Sequence, residues 1–313
     1  MKAAVTTIFM GTPDFAVPTL QALIQNGYQV PLVVTQPDRP KGRGRKCVAP
    51  PVKIKALELN LEVFQPVTIK DKKFRDRIRH IKPDFLIVLA FGHILPEEIL
   101  QIPKRGTINV HASLLPKYRG PAPVQWAIIN GESETGITTM LMDQGVDTGD
   151  ILLASKEPIF EVDTAATLQQ RLALRGAELL IKTLQGCVDE SIKPRPQDHS
   201  KASYAPLLKK QDGHIHWHTP ADKLAAFIRG MTPWPGAFTF HDKNRLKILR
   251  AIPLPQDITD PAGTILKAFP DELWVATAKD ALSILEIQGP SGKRLPIADF
   301  LRGYPMPAGT LLQ

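Results

Sequence analysis

Apolar β-like runs alternate with helical patterns through the first 188 residues, and this alternation constrains the fold most. The β-like runs are residues 4–10, 30–35, 84–91, 106–111 and 137–142, followed by an extended segment at 151–160. The helical patterns are residues 15–26, 70–81, 96–101, 121–130, and a long helix that begins after a cap at Asp163 or Thr164 and ends near residue 184. Alternating strands and helices with apolar strands are typical of a parallel sheet covered on both faces. We therefore predict an α/β fold with a doubly wound, mostly parallel sheet.

The pattern changes after residue 188. Residues 189–206 are polar and contain three prolines, which is typical of an extended linker. A helical pattern at 220–230 precedes five short β-like runs at residues 237–241, 246–252, 263–267, 273–277 and 282–288. Five short strands with turn signals between them predict a small β-barrel of the OB-like kind. The expected domains are therefore residues 1–188 and 207–313, joined by the linker 189–206.

The stretch from Gly106 to Gly120 combines a short strand with a loop broken by proline and glycine. Strand alternation places Asn109 and His111 on one face and Val110 on the other. An amide is a neutral hydrogen-bond donor, and an imidazole changes protonation near neutral pH, so this pair suits chemistry at a carbonyl. In the alternative interpretation, Asn109 is a hydrogen-bonded polar residue at a strand end and His111 is a core histidine without a catalytic role.

The turn after the first strand has the sequence Gly11-Thr12-Pro13-Asp14. Because a dinucleotide-binding loop follows the first strand of such a fold, we compared this turn with the dinucleotide fingerprint. The dinucleotide fingerprint requires three glycines spaced G-x-G-x-x-G, which let the backbone approach a pyrophosphate. Only the first glycine is present. We therefore exclude a dinucleotide cofactor in this loop.

Positive charge is concentrated in one connection. The chain has 39 basic and 31 acidic residues, and seven basic and no acidic residues lie between Arg39 and Lys55. Most of them belong to residues 36–51, a stretch rich in proline and glycine that we predict to lack regular structure and to be disordered without RNA. A solvated loop is one interpretation. Because a loop that leaves the carboxyl end of a parallel strand lies on the ligand side of the sheet, we favour contact with nucleic acid.

Other features narrow the class of protein. The longest apolar runs are far shorter than the ~20 residues of a membrane span, and the first residues run directly into a strand pattern without a signal-peptide core, so we expect a cytoplasmic protein. Cys47 and Cys187 match neither a metal spacing nor a disulfide framework. His214, His216 and His218 would share one strand face, where an exposed polar edge is favoured over a metal site and their role stays open.

Several motifs together resemble the folate-dependent formyltransferases, in particular those that act on a charged tRNA. The motifs are Gly11-Thr-Pro-Asp-Phe15, Phe91-Gly-His-Ile-Leu-Pro96, Asn109-Val-His-Ala-Ser-Leu-Leu-Pro-Lys-Tyr-Arg-Gly120, Met142-Asp-Gln-Gly-Val-Asp-Thr-Gly-Asp150 and Met231-Thr-Pro-Trp-Pro235. The resemblance extends over the whole chain. It implies transfer of the formyl group of 10-formyltetrahydrofolate to the α-amino group of initiator methionyl-tRNA, for translation initiation.

The resemblance also implies roles for individual residues. Asn109 and protonated His111 would donate hydrogen bonds to the oxyanion, and Asp147 would keep His111 charged and collect the amine proton. The residues expected to bind the folate are Phe91, Gly92, Ile94, Leu95, Ser113, Leu114, Leu115, Pro116 and Asp143. The residues expected to bind tRNA are Arg39, Lys41, Arg43, Arg45 and Lys46. Asp143 and Asp150 each lie within two residues of a glycine and favour turns rather than catalysis. No metal is expected, and the expected form is a monomer.

Two other functions remain open from the sequence. The same three residues could transfer a formyl group to a small amine, such as a glycinamide ribonucleotide or an amino sugar nucleotide, although a small substrate needs neither the basic loop nor the barrel. A protein of another class, a non-catalytic RNA-binding protein on a formyltransferase fold, would not require Asn109, His111 and Asp147.

Overall fold

The computed structural model describes residues 5–41, 46–268 and 270–313. The chain forms two compact units. Unit 1 comprises Met1–Pro123, Thr135–Pro158 and Gln169–Ala205, and unit 2 comprises Val124–Glu134, Ile159–Leu168 and Pro206–Gln313.

Unit 1 is built on a seven-stranded sheet in the order β5-β2-β1-β6-β7-β8-β9. Its strands are β1 (Thr6–Gly11), β2 (Gln29–Val34), β5 (Val63–Phe64), β6 (Phe85–Leu89), β7 (Thr107–His111), β8 (Glu134–Leu141) and β9 (Ile151–Pro158). β1 pairs in parallel with β2 and β6, β2 with β5, and β6 with β7, whereas β7 and β8 are antiparallel. The predicted doubly wound, mostly parallel sheet is therefore confirmed.

The central strands owe their position to their apolar side chains. All five residues of β6 and all five of β7 are buried, as expected for strands covered on both faces. By contrast, β9 alternates buried and more exposed residues, as expected for a strand at the edge of the sheet. The sequence pattern thus places β7, with its two polar side chains, inside the sheet.

The helices connect these strands and continue into unit 2. They are α1 (Val17–Gln25), α2 (Pro51–Glu58), α3 (Lys72–Ile81), α4 (Glu97–Leu100), α5 (Pro123–Ile129), α6 (Ala165–Val188), α7 (Ala221–Met231) and α8 (Ile297–Gly303). The Thr164 hydroxyl accepts from the Thr167 amide at 3.3 Å, which confirms the predicted cap of α6. The helix predicted over residues 15–26 begins instead as a 3-10 turn, Asp14–Ala16, because Pro18 favours the first turn of α1.

The strand order reverses between β1 and β6, where ligands bind in open α/β sheets. Three residues connect the carboxyl ends of β1, β2 and β6. The Gln36 amide group and the Thr12 hydroxyl donate to the Phe91 carbonyl oxygen at 3.1 and 3.2 Å. Polar contacts therefore tie the strand ends together at the switch point.

The prediction that residues 36–51 lack regular structure is wrong at both ends. β3 (Arg39–Lys41) pairs with β4 (Lys46–Val48) in an antiparallel two-stranded sheet, with Pro40 opposite Cys47. Pro40 is tolerated in β3 because an isolated pair of strands makes no hydrogen bond with the N–H groups on its outer edge. Pro51 occupies the first turn of α2, where a backbone N–H has no partner within the helix. The prediction of disorder for residues 42–45 falls outside the described residues.

Unit 2 contains an antiparallel sheet in the order β10-β11-β14-β13-β12, with β15 paired to β14. Its strands are β10 (Ala237–His241), β11 (Asn244–Leu254), β12 (Ile265–Ala268), β13 (Leu273–Ala276), β14 (Ala281–Gln288) and β15 (Arg294–Pro296). Gln313 exchanges backbone hydrogen bonds with Phe240 in β10, and Leu312 donates to Gly263 just before β12. The terminal residues thus join the two outer strands of a curled sheet, as an OB-like barrel requires. The sequence analysis did not predict the short strand β15 or the helix α8.

The prediction that His214, His216 and His218 share a strand face is wrong. His214 forms only an isolated bridge to Phe238 after a 3-10 turn, and residues 216–218 belong to a turn rather than a strand. The His214 ring stacks on Phe238 with 5.2 Å between centroids. The three histidines therefore do not alternate in and out as in a strand, and the His214 ring is held by aromatic packing next to a turn.

Residues 189–205, most of the predicted linker, make specific contacts within unit 1. Arg195 exchanges two backbone hydrogen bonds with Ile151, and Arg119 does the same with the segment Ser203 to Ala205. The domain boundaries at 188 and 206 stay a prediction.

Candidate active site

The carboxyl end of β7 carries Asn109 and His111, which are 9% and 6% exposed. Val110 lies on the other face of the strand, where Gly176 of α6 leaves room for its side chain. The alternation predicted from the sequence therefore holds, with the apolar residue toward a helix and the two polar residues together.

Asp147 joins these two side chains from the loop after β8. The Asn109 amide nitrogen donates to Asp147 Oδ1 at 3.2 Å, and the Gly120 backbone N–H donates to Oδ2 at 2.8 Å. His111 Nδ1 lies 3.6 Å from the same Oδ2, within ion-pair range but beyond a good hydrogen bond. Three separate segments of unit 1 thus converge on one carboxylate.

The hydrogen on the His111 ring can be assigned from its partners. Nε2 lies 2.9 Å from the Tyr118 carbonyl oxygen, which can only accept. Nε2 therefore carries a hydrogen, and Nδ1 is the nitrogen that faces Asp147.

The loop after β7 is held by its own hydrogen bonds. The buried Ser113 hydroxyl donates to the Lys117 carbonyl at 2.6 Å, and the Thr138 hydroxyl of β8 donates to the Ser113 carbonyl at 2.7 Å. The Leu115 N–H donates to the same Thr138 hydroxyl at 3.1 Å. These bonds fix the path from His111 to Tyr118, and hence the carbonyl that orients the imidazole.

The residues predicted to bind folate have different surroundings. Phe91 and Leu95 are 2% and 3% exposed and belong to the core, whereas Ile94 is 74% exposed. Gly92 has a φ of +85°, a conformation suited to glycine. Ser113 and Leu115 are buried, Leu114 and Pro116 are partly exposed, and Asp143 is exposed. Folate binding by these residues stays a prediction.

Asp143 acts as a turn former, as the sequence indicated. Its Oδ1 accepts from the Gly145 N–H at 3.0 Å and from the Thr148 hydroxyl at 2.6 Å. The segment closed by these bonds, residues 143–148, contains Asp147, which has a φ of +53°. Asp143 therefore shapes the loop that presents the carboxylate.

The predicted tRNA contacts are only partly described. Arg39 donates from Nη2 to Gln36 Oε1 at 2.8 Å, so this side chain has a partner within the chain. Lys41 and Lys46 are register partners in the β3–β4 pair. Arg43 and Arg45 lie outside the described residues. Contact of these five residues with tRNA stays a prediction.

In the part of the chain that the structure describes, neither a metal cluster nor a membrane helix indicates another kind of site. Within residues 5–41, 46–268 and 270–313, no group of three or more His, Cys, Asp or Glu side chains could hold a metal ion. Every helix in these same ranges is too short or too polar to span a membrane.

Two family descriptions match the chain. Residues 2–184 match "Formyl transferase", and residues 207–305 match "Formyl transferase, C-terminal domain". The chain belongs to the formyl transferase family. A curated relative from Desulforamulus reducens, named methionyl-tRNA formyltransferase, is 49% identical over 307 residues, which cover 97% of this chain and 96% of the relative. The resemblance predicted from the motifs, and with it a formyl-transferring enzyme, is confirmed.

Two solved structures share the fold. HypX from Aquifex aeolicus in complex with tetrahydrofolic acid is 16% identical with a TM-score of 0.65, over 98% of this chain and 50% of that chain. This chain thus spans about half the length of HypX. WlaRD, a sugar 3N-formyl transferase, is 21% identical with a TM-score of 0.67, over 90% of this chain and 96% of that chain. These likenesses show the fold alone.

Sequence reasoning missed the backbone groups that complete the site. The Tyr118 carbonyl and the Gly120 N–H bind His111 and Asp147 through atoms that every residue has, so no side-chain pattern reveals them. Gln197 was also missed, because it lies in a polar segment with prolines that resembles a linker. Its burial is a property of the fold and has no signal in the sequence.

Proposed function

We propose that this protein transfers the formyl group of 10-formyltetrahydrofolate to the α-amino group of methionyl-tRNA, giving N-formylmethionyl-tRNA. The observation that carries the proposal is the convergence of Asn109, His111 and Asp147 at the carboxyl end of β7. The 49% identical relative that bears this activity in its name supports the choice of acceptor. Formylation of charged tRNA is a cytoplasmic reaction, and a monomer is the proposed form.

Asn109 would stabilise the oxygen that gains negative charge during acyl transfer. One N–H of its amide donates to Asp147, and the second is available, since an amide nitrogen carries two hydrogens. The side chain is nearly buried, so little water competes for that hydrogen. Preorganised donors of this kind contribute about 3–4 kcal/mol to transition-state stabilisation.

His111 would donate the second hydrogen bond to the reacting oxygen, and Asp147 would accept the proton of the incoming amine. Because Nε2 is committed to the Tyr118 carbonyl, only Nδ1 can donate to a reacting oxygen. Asp147 Oδ2 lies 3.6 Å from Nδ1, close enough to pair with the ring when that nitrogen carries a hydrogen. The carboxylate can also accept a proton from the incoming amine, directly or through water.

The folate would bind on the surface formed by the loops after β6 and β8. Ile94 after β6 and Val146 after β8 are 74% and 50% exposed, and apolar side chains at such exposure offer a surface for an aromatic ring system. The Gln144 side chain donates to Glu97 at the start of α4, so the two loops that carry these residues contact each other. The folate supplies the activated formyl group. Phe91, Gly92, Leu95 and the segment from Ser113 to Pro116 would complete the binding surface with backbone groups.

The β3–β4 pair would meet the tRNA. Its strands follow β2 and lie on the carboxyl side of the sheet, where the site is. Lys41, Lys46 and the basic residues between them supply positive charge for phosphates. The curled sheet of unit 2 would bind a further part of the tRNA.

The test measures both product and acceptor. The protein is incubated with 10-formyltetrahydrofolate and charged initiator tRNA, and N-formylmethionine is measured by mass spectrometry. Steady-state rates on the tRNA are then recorded against salt concentration. We expect N-formylmethionine, and a tRNA affinity that falls with salt by a log-log slope of roughly 0.7 to 0.9 per phosphate contact. No product at saturating substrates rejects the proposal, whereas a tRNA affinity that does not respond to salt supports the small-amine alternative.

A further inference from the structure

The Asp147 backbone adopts a conformation that needs support. Its φ of +53° lies in the left-handed region, which is uncommon for residues other than glycine. Gly149, two residues later, packs so closely against Leu141 that a Cβ there would overlap the Leu141 carbonyl oxygen. Such backbone persists only where surrounding contacts over-determine it.

A single buried side chain contacts the carbonyls on both sides of this bend. Gln197 is 6% exposed, and its Nε2 donates to the Asp147 carbonyl at 2.9 Å and to the Gly149 carbonyl at 2.7 Å. Both N–H bonds of the amide are therefore used on the segment that carries the carboxylate.

Arg119 fixes the orientation of that amide. Its Nε and Nη2 lie 3.2 and 2.7 Å from Gln197 Oε1, and its side chain is 2% exposed. An arginine can only donate, so the oxygen of Gln197 must face Arg119 and the nitrogen must face the two carbonyls. All four hydrogen-bonding positions of the Gln197 amide are thereby satisfied.

Arg119 is itself fixed next to the site. Its N–H donates to the Ser203 carbonyl at 2.8 Å, and its carbonyl accepts from Ala205 at 2.7 Å. It also follows Tyr118 and precedes Gly120, the two residues whose backbone groups bind His111 and Asp147. One arginine thus connects the loop after β7 with the loop after β8.

We infer that Gln197, held by Arg119, is a positioning residue that sets the location of the Asp147 carboxylate relative to Asn109 and His111. It acts through the backbone carbonyls of Asp147 and Gly149 and does not touch the reacting groups. Its effect on the rate rests on the proposed function, whereas its effect on the loop does not.

Gln197→Glu separates this role from general stability. The substitution keeps the size of the side chain and strengthens the contact with Arg119, because a carboxylate accepts from a guanidinium. It also places oxygen against two carbonyl oxygens and removes both donors. The matched control is Gln185→Glu, the same change of charge at an exposed residue of α6.

The first measurement is amide hydrogen exchange followed by NMR, which needs no activity. The Gly120 N–H reports the carboxylate position because it donates to Asp147 Oδ2 at 2.8 Å. The Ala205 N–H reports the Arg119 backbone. In Gln197→Glu we expect faster exchange at Gly120 and unchanged exchange at Ala205, with both unchanged in the control. Unchanged exchange at Gly120, or equal acceleration at both amides, overturns the inference.

The second measurement is a double-mutant cycle in kcat with Asp147→Ala. A misplacement of about 1 Å can cost on the order of 100-fold in rate, so Gln197→Glu should lower kcat by about 10- to 100-fold while KM changes little. Because the residue acts through the Asp147 carboxylate, it should lower kcat by less than about threefold in the Asp147→Ala background. The same loss in both backgrounds overturns the inference.

A second variant guards against a failure to fold. Gln197→Asn keeps the amide but is shorter by one methylene, so it cannot reach both carbonyls, and it enters the same two measurements if Gln197→Glu is unstable. Absence of formyl transfer by the wild-type protein rejects the proposed function. The exchange experiment still decides the positioning role in that case.

Discussion

Asn109 and Asp147, 38 positions apart in the chain, are joined by a hydrogen bond of 3.2 Å between the Asn109 amide nitrogen and Asp147 Oδ1. The bond uses one hydrogen of the amide and directs the other away from the carboxylate. It also keeps the carboxylate beside His111 without making it part of a tight hydrogen bond to the ring. The pair therefore offers a donor and an acceptor side by side, as acyl transfer to an amine requires.

Loss of either donor should slow the reaction without unfolding the protein. Asn109→Ala should lower kcat by about 10²- to 10³-fold, since one oxyanion donor disappears. His111→Ala should cost at least as much because it removes both a donor and the partner of Asp147. Steady-state formylation kinetics and melting temperature are measured together. His218→Ala, an exposed histidine in unit 2, serves as the control. Rates near that of the wild type would remove either residue from the mechanism.

The two cysteines allow a footprint of the basic segment. Cys47 is exposed on β4, whereas burial raises the pKa of the Cys187 thiol, which Arg105 only partly opposes. Thiolates react with alkylating agents, so iodoacetamide should modify Cys47 first at neutral pH. Bound tRNA should then slow alkylation of Cys47 and leave Cys187 unchanged, as followed by mass spectrometry. Equal rates at Cys47 with and without tRNA would argue against contact at this strand.

Gly149 should resist substitution. A Cβ at this position would overlap backbone, so the loop with Asp147 must move, and the cost should be about 1–3 kcal/mol of stability together with a loss of kcat. Gly303→Ala at the end of α8 is the control, since a Cβ there meets nothing within 4 Å. Chemical denaturation and formylation rates measure both effects. A Gly149→Ala protein as stable and active as the control would show that the close approach is unimportant.

Asp198 gives a pH-dependent test of the segment after Gln197. Hydrogen bonds from the Ser200 side chain and from Lys201, with one from the Ser200 backbone, lower the pKa of Asp198 to about 2. A pKa lowered on folding stabilises the protein above the unfolded value, about 3.9, and this contribution disappears as the pH falls toward 2. Asp198→Asn should therefore melt below the wild type at pH 7, and the difference should shrink below pH 4. A difference that is constant down to pH 3 would contradict this assignment.

Local sequence patterns predicted the parts of the fold that depend on them. The apolar run of β6 has no polar position to expose, so it must be a central strand. The alternation in β7 put Asn109 and His111 on one face, and the structure has them there. Their approach to Asp147 has no local signal, because it depends on the path of two loops, and only the resemblance to a family indicated it.

Other features depended on contacts that a sequence pattern does not contain. The prolines and glycines of residues 39–48 indicated a loop without strands. Two short paired strands form there nevertheless, because so short a pair makes few backbone hydrogen bonds and tolerates Pro40. The three histidines from His214 to His218 alternate as in a strand, yet packing on Phe238 bends the chain there. Gln197 looked like a linker residue because its partners, the carbonyls of Asp147 and Gly149, are about 50 residues away.

The account is tested most directly by comparing formyl acceptors side by side. Rates of formyl transfer from 10-formyltetrahydrofolate are measured on methionyl initiator tRNA, on methionyl elongator tRNA and on a small methionine ester at one ionic strength. We predict N-formylmethionine on the initiator tRNA, a lower kcat/KM on the elongator, and the lowest on the ester, with all three rates reduced at least about 10²-fold in His111→Ala. Formyl transfer to the ester with a kcat/KM equal to or above that of the initiator tRNA would contradict the account.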